Sequence, residues 1–178
     1  MKRAVVFSVL MGLCGPGLFA QDAAPKAAAK SSASDAAPPS NLTVGGAVAT
    51  PLTLSPADLE KMPRTTVKIT EDGGEVAYEG VLVAEILKRA GAPGGAKLRG
   101  KALATYLLCE AKDGYRVVFA LAEFDPDFND NPAIVADKRD GRALFDYQGP
   151  FRILAPRDKR AARSIRMLTK VTVVQVPE

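Results

Sequence analysis

Short alternations of hydrophobic and polar positions, rather than long helical stripes, run through most of this chain. Residues 42–49 alternate loosely and predict a first strand, and 52–54 predict a short second one. Ser55-Pro56-Ala57-Asp58 reads as a helix start. Ser55 accepts from the amides ahead of it, Pro56 suits the first helical position, and Asp58 complements the dipole. That helix ends before Pro63. Residues 64–70 alternate again, with Val67 and Ile69 on one face. Glu71-Asp72-Gly73-Gly74 is a turn, and 75–81 returns as the hairpin partner. Over 82–90, Leu82, Ile86 and Leu87 share a face, with Glu85 and Lys88 outside. This predicts an amphipathic helix with Gly91 as its left-handed C-cap. A Gly/Pro loop spans 92–100. The β-rich runs 102–111 and 115–120 flank Asp113-Gly114, a strong hairpin signal.

Further on, 121–124 reads as one helical turn, and strands at 133–137 and 143–147 surround Asp140-Gly141. Residues 151–155 form a strand, and 160–167 a turn of helix or an irregular basic segment. The closing strand is 171–176, with Val171, Val173 and Gln175 on one face. No internal repeat is visible. Many short strands with two or three short helices predict an α+β fold, a mixed β-sheet domain.

The N-terminus changes the picture of where such a domain works. Lys2 and Arg3 precede an apolar run over 4–13, and Ala20 ends a cleavage site. Residues 1–20 therefore read as a signal peptide of the Sec type, since no twin-arginine pair is present, and the mature chain is expected in the periplasm or secreted. The apolar run falls short of the ~20 residues a membrane span needs, and Gly12, Gly15, Pro16 and Gly17 interrupt it. No transmembrane span is expected in the mature chain. Residues 21–41 are rich in Ala, Pro, Ser and Lys without apolar periodicity, and read as a flexible linker. The domain is 42–178, enough for one core.

Charge and chemistry narrow the function classes. Taking Lys2 and Arg3 off the formal net charge of +4 leaves +2. No basic run is interleaved with aromatics, so nucleic acid is not an expected partner. The chain has no histidine, which excludes Ser-His-Asp and Cys-His catalysis and the common zinc sites. Removing the signal takes Cys14 and leaves Cys109 alone, so no intramolecular disulfide is available. In Leu107-Leu108-Cys109 the thiol reads as a small core hydrophobe. The alternative is a redox thiol activated by Lys112 and Arg116.

Asp125, Asp127, Asn129 and Asp130 offer oxygens at near-alternating positions. A calcium loop wants Gly sixth and Glu twelfth, where Asp130 and Ala136 stand, so the segment reads as a capped acidic loop and no metal site is assigned. Asp113 and Tyr115 read as hairpin-setting residues and Tyr78 as a core aromatic. Near the C-terminus, Arg152, Arg163, Ser164 and Arg166 are a candidate anion-holding rim, because guanidinium forks match phosphate-like groups. The alternative is a solvated basic edge paired with Asp137, Asp140 or Asp158.

Taken in order, Leu54-Ser55-Pro56-Ala57-Asp58-Leu59, Tyr78-Glu79-Gly80-Val81-Leu82 and Ile86-Leu87-Lys88-Arg89-Ala90-Gly91 are followed by Asp113-Gly114-Tyr115 and Asp140-Gly141-Arg142-Ala143-Leu144. The segment 149–168 comes last. This series resembles the sulfite-oxidase-type molybdopterin-binding domain, and is similar to its small, exported, stand-alone members. The resemblance implies a cofactor pocket at the Arg-Ser stretch, with Arg152, Arg163, Ser164 and Arg166 toward the pterin. It also implies a molybdenum-binding cysteine thiolate between the Ser-Pro helix and the aromatic-x-Gly motif. That region, 64–77, holds no cysteine, so the expectation is no bound molybdenum, with molybdopterin as the cofactor the resemblance brings. The expected function is an exported anion- or ligand-binding module or redox-partner module, with a small anionic ligand or a periplasmic redox protein as partner. The alternatives are a molybdopterin-dependent oxidoreductase, or a subunit of one, with an atypical metal site, and a structural or assembly protein.

Overall fold

The computed structural model describes residues 41–145 and 147–177. The signal peptide and linker read over 1–41 fall, Asn41 excepted, outside the described residues. The strands are β1 (Leu42–Gly46), β2 (Leu52–Leu54), β3 (Thr65–Glu71), β4 (Gly74–Leu82), β5 (Thr105–Ala111), β6 (Arg116–Ala120), β7 (Ile134–Arg139), β8 (Arg142–Ala143), β9 (Arg152–Leu154) and β10 (Leu168–Gln175). The two α-helices are α1 (Pro56–Glu60) and α2 (Val83–Ala90). One sheet has the order β2-β1-β10-β5-β6. The other runs β3-β4-β7-β8, with β9 also paired to β7. β1 and β10 are parallel, so the first and last strands of the domain lie side by side. This is the α+β, mixed-sheet architecture that the alternation implies.

Local chemistry accounts for the punctuation. Ser55 and Asp58 form a reciprocal capping box: the Ser55 amide donates to Asp58 at 3.0 Å, and the Asp58 amide donates to the Ser55 hydroxyl at 3.3 Å. Gly91 closes α2 with φ 68°. The turns Asp72-Gly73 and Asp140-Gly141 have positive φ at both residues, as a two-residue hairpin turn requires. Inward positions of β5 (Thr105, Leu107, Cys109, Ala111) meet Val171 and Val173 of β10 and the apolar face of α2 in the main core. Gln175 follows Val171 and Val173 in register but is exposed. A smaller cluster, built on Val67, Val76, Tyr78, Ile134, Ala136 and Leu154, fills the other side of the second sheet.

Two sequence expectations need correction. Residues 102–104 belong to a 3-10 helix (Gly100–Ala104), and the strand begins only at Thr105. The strand expected over 143–147 is confined to Arg142–Ala143. Beyond it the Leu144 amide donates to the Asp137 carbonyl at 3.0 Å, and the Phe145 carbonyl accepts from both Gln148 and Gly149. The backbone is thus drawn into a reverse turn that ends in the cis Gly149-Pro150 bond.

A bulge sets the faces of the second sheet. Gly80 pairs with Ala136 and Glu79 with Lys138, which leaves Asp137 as the extra residue of β7. A side chain at Gly80 would collide with the Val135 carbonyl, so glycine is required where the two strands close up. Asp137 is buried and takes both terminal nitrogens of Arg64. The bulge also brings Arg139 onto the face of Tyr78, 5.7 Å from the ring centroid.

Tyr78 stands at the centre of a buried charge network. Arg152, on β9, donates through Nη1 to the Tyr78 hydroxyl at 2.6 Å and to Gln148 Oε1 at 3.3 Å. Its Nη2 donates to Glu71 Oε1 at 3.0 Å. The Tyr78 hydroxyl lies within donating distance of both Glu71 and Gln148. Burial leads the effects that raise the proton affinity of that hydroxyl, which therefore stays neutral and able to donate.

Breaking this network should be costly, since removing one partner leaves a charge without compensation. Arg152→Ala is expected to lose roughly 3 kcal/mol in urea unfolding. Arg152→Met with Glu71→Gln is expected to regain part of that loss. An unchanged midpoint in Arg152→Ala would show that the network contributes nothing to stability.

Candidate functional site

Two loops and a turn converge on a cleft of about 370 Å³. The β5–β6 hairpin brings Asp113 and Tyr115, the reverse turn before Gly149 brings Tyr147, and the run into β10 brings Ser164, Arg166 and Met167. Main-chain bonds hold these pieces together. The Tyr115 hydroxyl donates to the Ala162 carbonyl at 2.9 Å. The Lys112 amide donates to the Met167 carbonyl at 2.9 Å, and the Met167 amide donates to the Gln148 carbonyl at 3.2 Å. Met167 has φ 47°, a conformation that a side chain of this size rarely adopts. Bonds on both of its polar backbone atoms keep it there.

The cleft offers anion chemistry beside aromatic surface. Ser164 Oγ accepts from the Ala155 amide at 3.2 Å, which leaves its proton available to a ligand. The Arg166 guanidinium sits 5.8 Å from the centroid of the Tyr147 ring. Tyr147 meets Phe145 edge-on at 4.7 Å. Asp113 Oδ1 is occupied by the Tyr115 amide at 3.0 Å, the hairpin-setting role expected of it.

The four expected rim residues do not stay together. Ser164 and Arg166 line the cleft. Arg152 does not lie on a rim. It is buried in the second sheet, because Glu71, Tyr78 and Gln148 take up its charge there. Arg163 is held in a fork between Asp158 (2.7 Å at both Nε and Nη2) and Glu123 (3.2 and 3.1 Å), above the Phe119 ring. Asp158 first and Glu123 second raise its proton affinity. Its donors tie the 3-10 helix Ala161–Arg163 to the one at Leu121–Phe124. Tyr147, Gln148, Met167 and Glu71 were not singled out in the sequence. Nothing local marks them, since their partners lie elsewhere in the chain.

A second cleft, about 430 Å³, opens between α2 and the loops around Pro93 and Pro126, with Leu87, Leu121 and Phe124 at its base. Asp125 ties this region down: Oδ2 accepts from the Gly95 amide at 2.5 Å and Oδ1 from the Asp127 amide at 2.9 Å. Its oxygens serve as loop caps. Among the described residues no group of three His, Cys, Asp or Glu side chains is placed to hold a metal ion.

The family model for the oxidoreductase molybdopterin binding domain matches residues 34–178. The chain belongs to the oxidoreductase molybdopterin-binding domain family. Among solved structures, the sulfane dehydrogenase SoxCD from Paracoccus pantotrophus is similar in fold, with a TM-score of 0.58 and 18% identity. The match covers 76% of this chain and 38% of that one, so this chain spans well under half the length of its neighbour. No curated protein matches the chain.

Family membership raises the question of molybdopterin, and the donor set can be compared with it. The segment 64–77, where the resemblance expects a thiolate, contains no sulfur. Its inward side chains include Val67 and Val76, and at the strand end Glu71, whose oxygens face Arg152, Arg139 and Tyr78. Cys109 is fully buried in the main core, and burial pushes its thiol up to about 12. A soft protein ligand for molybdenum does not fit these positions.

The buried thiol carries its own prediction. At pH 8 Cys109 should resist a thiol reagent in the folded protein and react promptly in urea. Because its folded pKa lies above the ordinary thiol value of 9.0, the thiol favours folding fully below pH 9. That contribution is lost as pH rises toward about 12. Rapid labelling of the folded chain at pH 8 would contradict the burial.

Proposed function

We propose that this domain acts outside the cytoplasm as a ligand-binding or redox-partner module on a molybdopterin-domain fold, without bound molybdenum. The observation that carries this reading is the sulfur-free donor set. The segment expected to anchor the metal carries Glu71 midway, already engaged by two arginines and a tyrosine. The apolar run behind Lys2 and Arg3 supports export. Ser164 and Arg166 supply a hydroxyl and a guanidinium for a small anion, and the aromatic wall suits a ligand with an apolar part. The redox-partner reading draws on the family and on a structural neighbour that is by name a dehydrogenase.

Family membership also favours a second reading, a molybdopterin-dependent oxidoreductase or a subunit of one with an atypical metal site. Metal analysis of protein purified from its native compartment separates the two. Molybdenum well below one atom per chain is expected, and a stoichiometric content would overturn the first reading. Phosphate or sulfate is expected to raise the melting temperature, by an amount equivalent to ~1.4 kcal/mol at ten times Kd. The gain should vanish in Arg166→Ala and persist in Arg152→Met. A gain that is unchanged in Arg166→Ala would remove the cleft from the proposal.

A further inference from the structure

Aromatic side chains in a domain of this size are normally buried, and those left half in water call for a reason. Three of the large exposed hydrophobic side chains crowd one place: Tyr115 is 49% exposed, Phe145 46% and Tyr147 53%, all at the mouth of the Ser164–Arg166 cleft. Phe145 does not line the cleft. It stacks edge-on against Tyr147 and extends the apolar surface outward. A small ligand confined to 370 Å³ would leave Phe145 and the outer half of Tyr147 wet.

The unpaired charges of the same loops are mostly positive. Lys112 precedes the Asp113 turn, and Lys159, Arg160 and Arg166 lie on the segment that forms the opposite wall. All four are exposed. Lys112, Lys159 and Arg160 have no carboxylate partner among the described residues, and Arg166 has only the Tyr147 ring. The opposing carboxylates in these loops are Asp113, on the turn, and Asp146 in the sequence, because Asp158 is committed to Arg163. Tyr, Phe and Arg around a recess are what protein interfaces enrich at their centres. The Tyr115 hydroxyl and the Lys112 and Met167 amides, each bonded to a main-chain carbonyl, fix these loops in advance, so docking would order little that is not already ordered.

We propose that this mouth is the docking face for an acidic surface of a partner protein. One partner carboxylate reaches Arg166 and Ser164 in the cleft, while Tyr115, Tyr147 and Phe145 are covered outside it. Complementary charge speeds the encounter and makes it sensitive to salt. The proposal rests on the partner-module reading and names the chemistry of that partner.

Backbone NMR of the full chain can test it with three defined probes. These are a twelve-residue peptide of alternating Glu and Leu, the same peptide with Gln for Glu, and inorganic phosphate. The acidic peptide is expected to shift amides in 112–115, at Phe145 and Tyr147, and in 159–167. Its affinity should fall at least tenfold between 50 and 300 mM salt, and tenfold again in Arg166→Glu or Tyr147→Ala. Phosphate is expected to shift only 164–167. If the Gln peptide binds as tightly, or if phosphate alone moves the cleft while the acidic peptide moves nothing, the docking face is overturned and the small-anion cleft stands. No shift with any probe overturns both.

Discussion

The structure turns on one buried charge and the groups that pair with it. The Arg152 guanidinium lies inside the second sheet, and its side chain is almost wholly buried. A buried guanidinium is tolerated only where an opposite charge and further acceptors surround it. Those come from Glu71 at the end of β3, Tyr78 on β4 and Gln148 in the turn before the cis-proline. One requirement thus fixes three distant segments at once. It reaches the cleft as well, because the Gln148 carbonyl holds the Met167 amide. The cleft wall inherits its position from a charge network in the second sheet.

Much of this was legible in the sequence, for local reasons. Inward and outward residues of β5 alternate without exception, and the Ser55-Asp58 box and Gly91 declare the ends of their helices. The hairpin turns are written in Asp-Gly pairs. What escaped depends on partners remote in sequence. Arg152 reads as surface charge until Glu71, 81 positions earlier, is seen beside it. The same holds for Arg163, whose cage needs Glu123, 40 positions away. The early end of β8 follows from a carbonyl claimed by two amides, which no side-chain pattern announces. Of the expected rim, Ser164 and Arg166 line a cleft, on the run that leads into a backbone constraint, the left-handed Met167.

Fold and donor set rest on different residues in this chain. The oxidoreductase molybdopterin-binding domain is recognisable over residues 34–178, yet the similarity to a sulfane dehydrogenase rests on backbone architecture at 18% identity. Architecture of that kind depends on strand order, the bulge at Asp137, the close approach at Gly80 and the packing of two sheets. None of these requires a thiolate. Replacing a ligand position with residues that pair among themselves leaves the scaffold intact while it changes what the scaffold can hold.

The two halves of such a site need not be lost together. The cleft is assembled from bonds to main-chain carbonyls that join the β5–β6 hairpin, the 147–150 turn and the approach to β10. Two of these pieces belong to the first sheet. The segment that lacks the thiolate lies on β3 and β4 of the second sheet. A substitution there need not move Tyr115, Ser164 or Arg166, which the other sheet's loops hold. Among the bonds described, the two regions are joined by the Ile153 amide of β9, which donates to the Ile165 carbonyl at 2.9 Å, and by Gln148, whose side chain serves the Arg152 network and whose carbonyl serves the cleft. Once Glu71 neutralises Arg152 from the β3 side, the Gln148 link is maintained by protein charge alone. The recess can then keep its shape, with an arginine and a hydroxyl facing outward, and serve whatever anion or acidic surface reaches it.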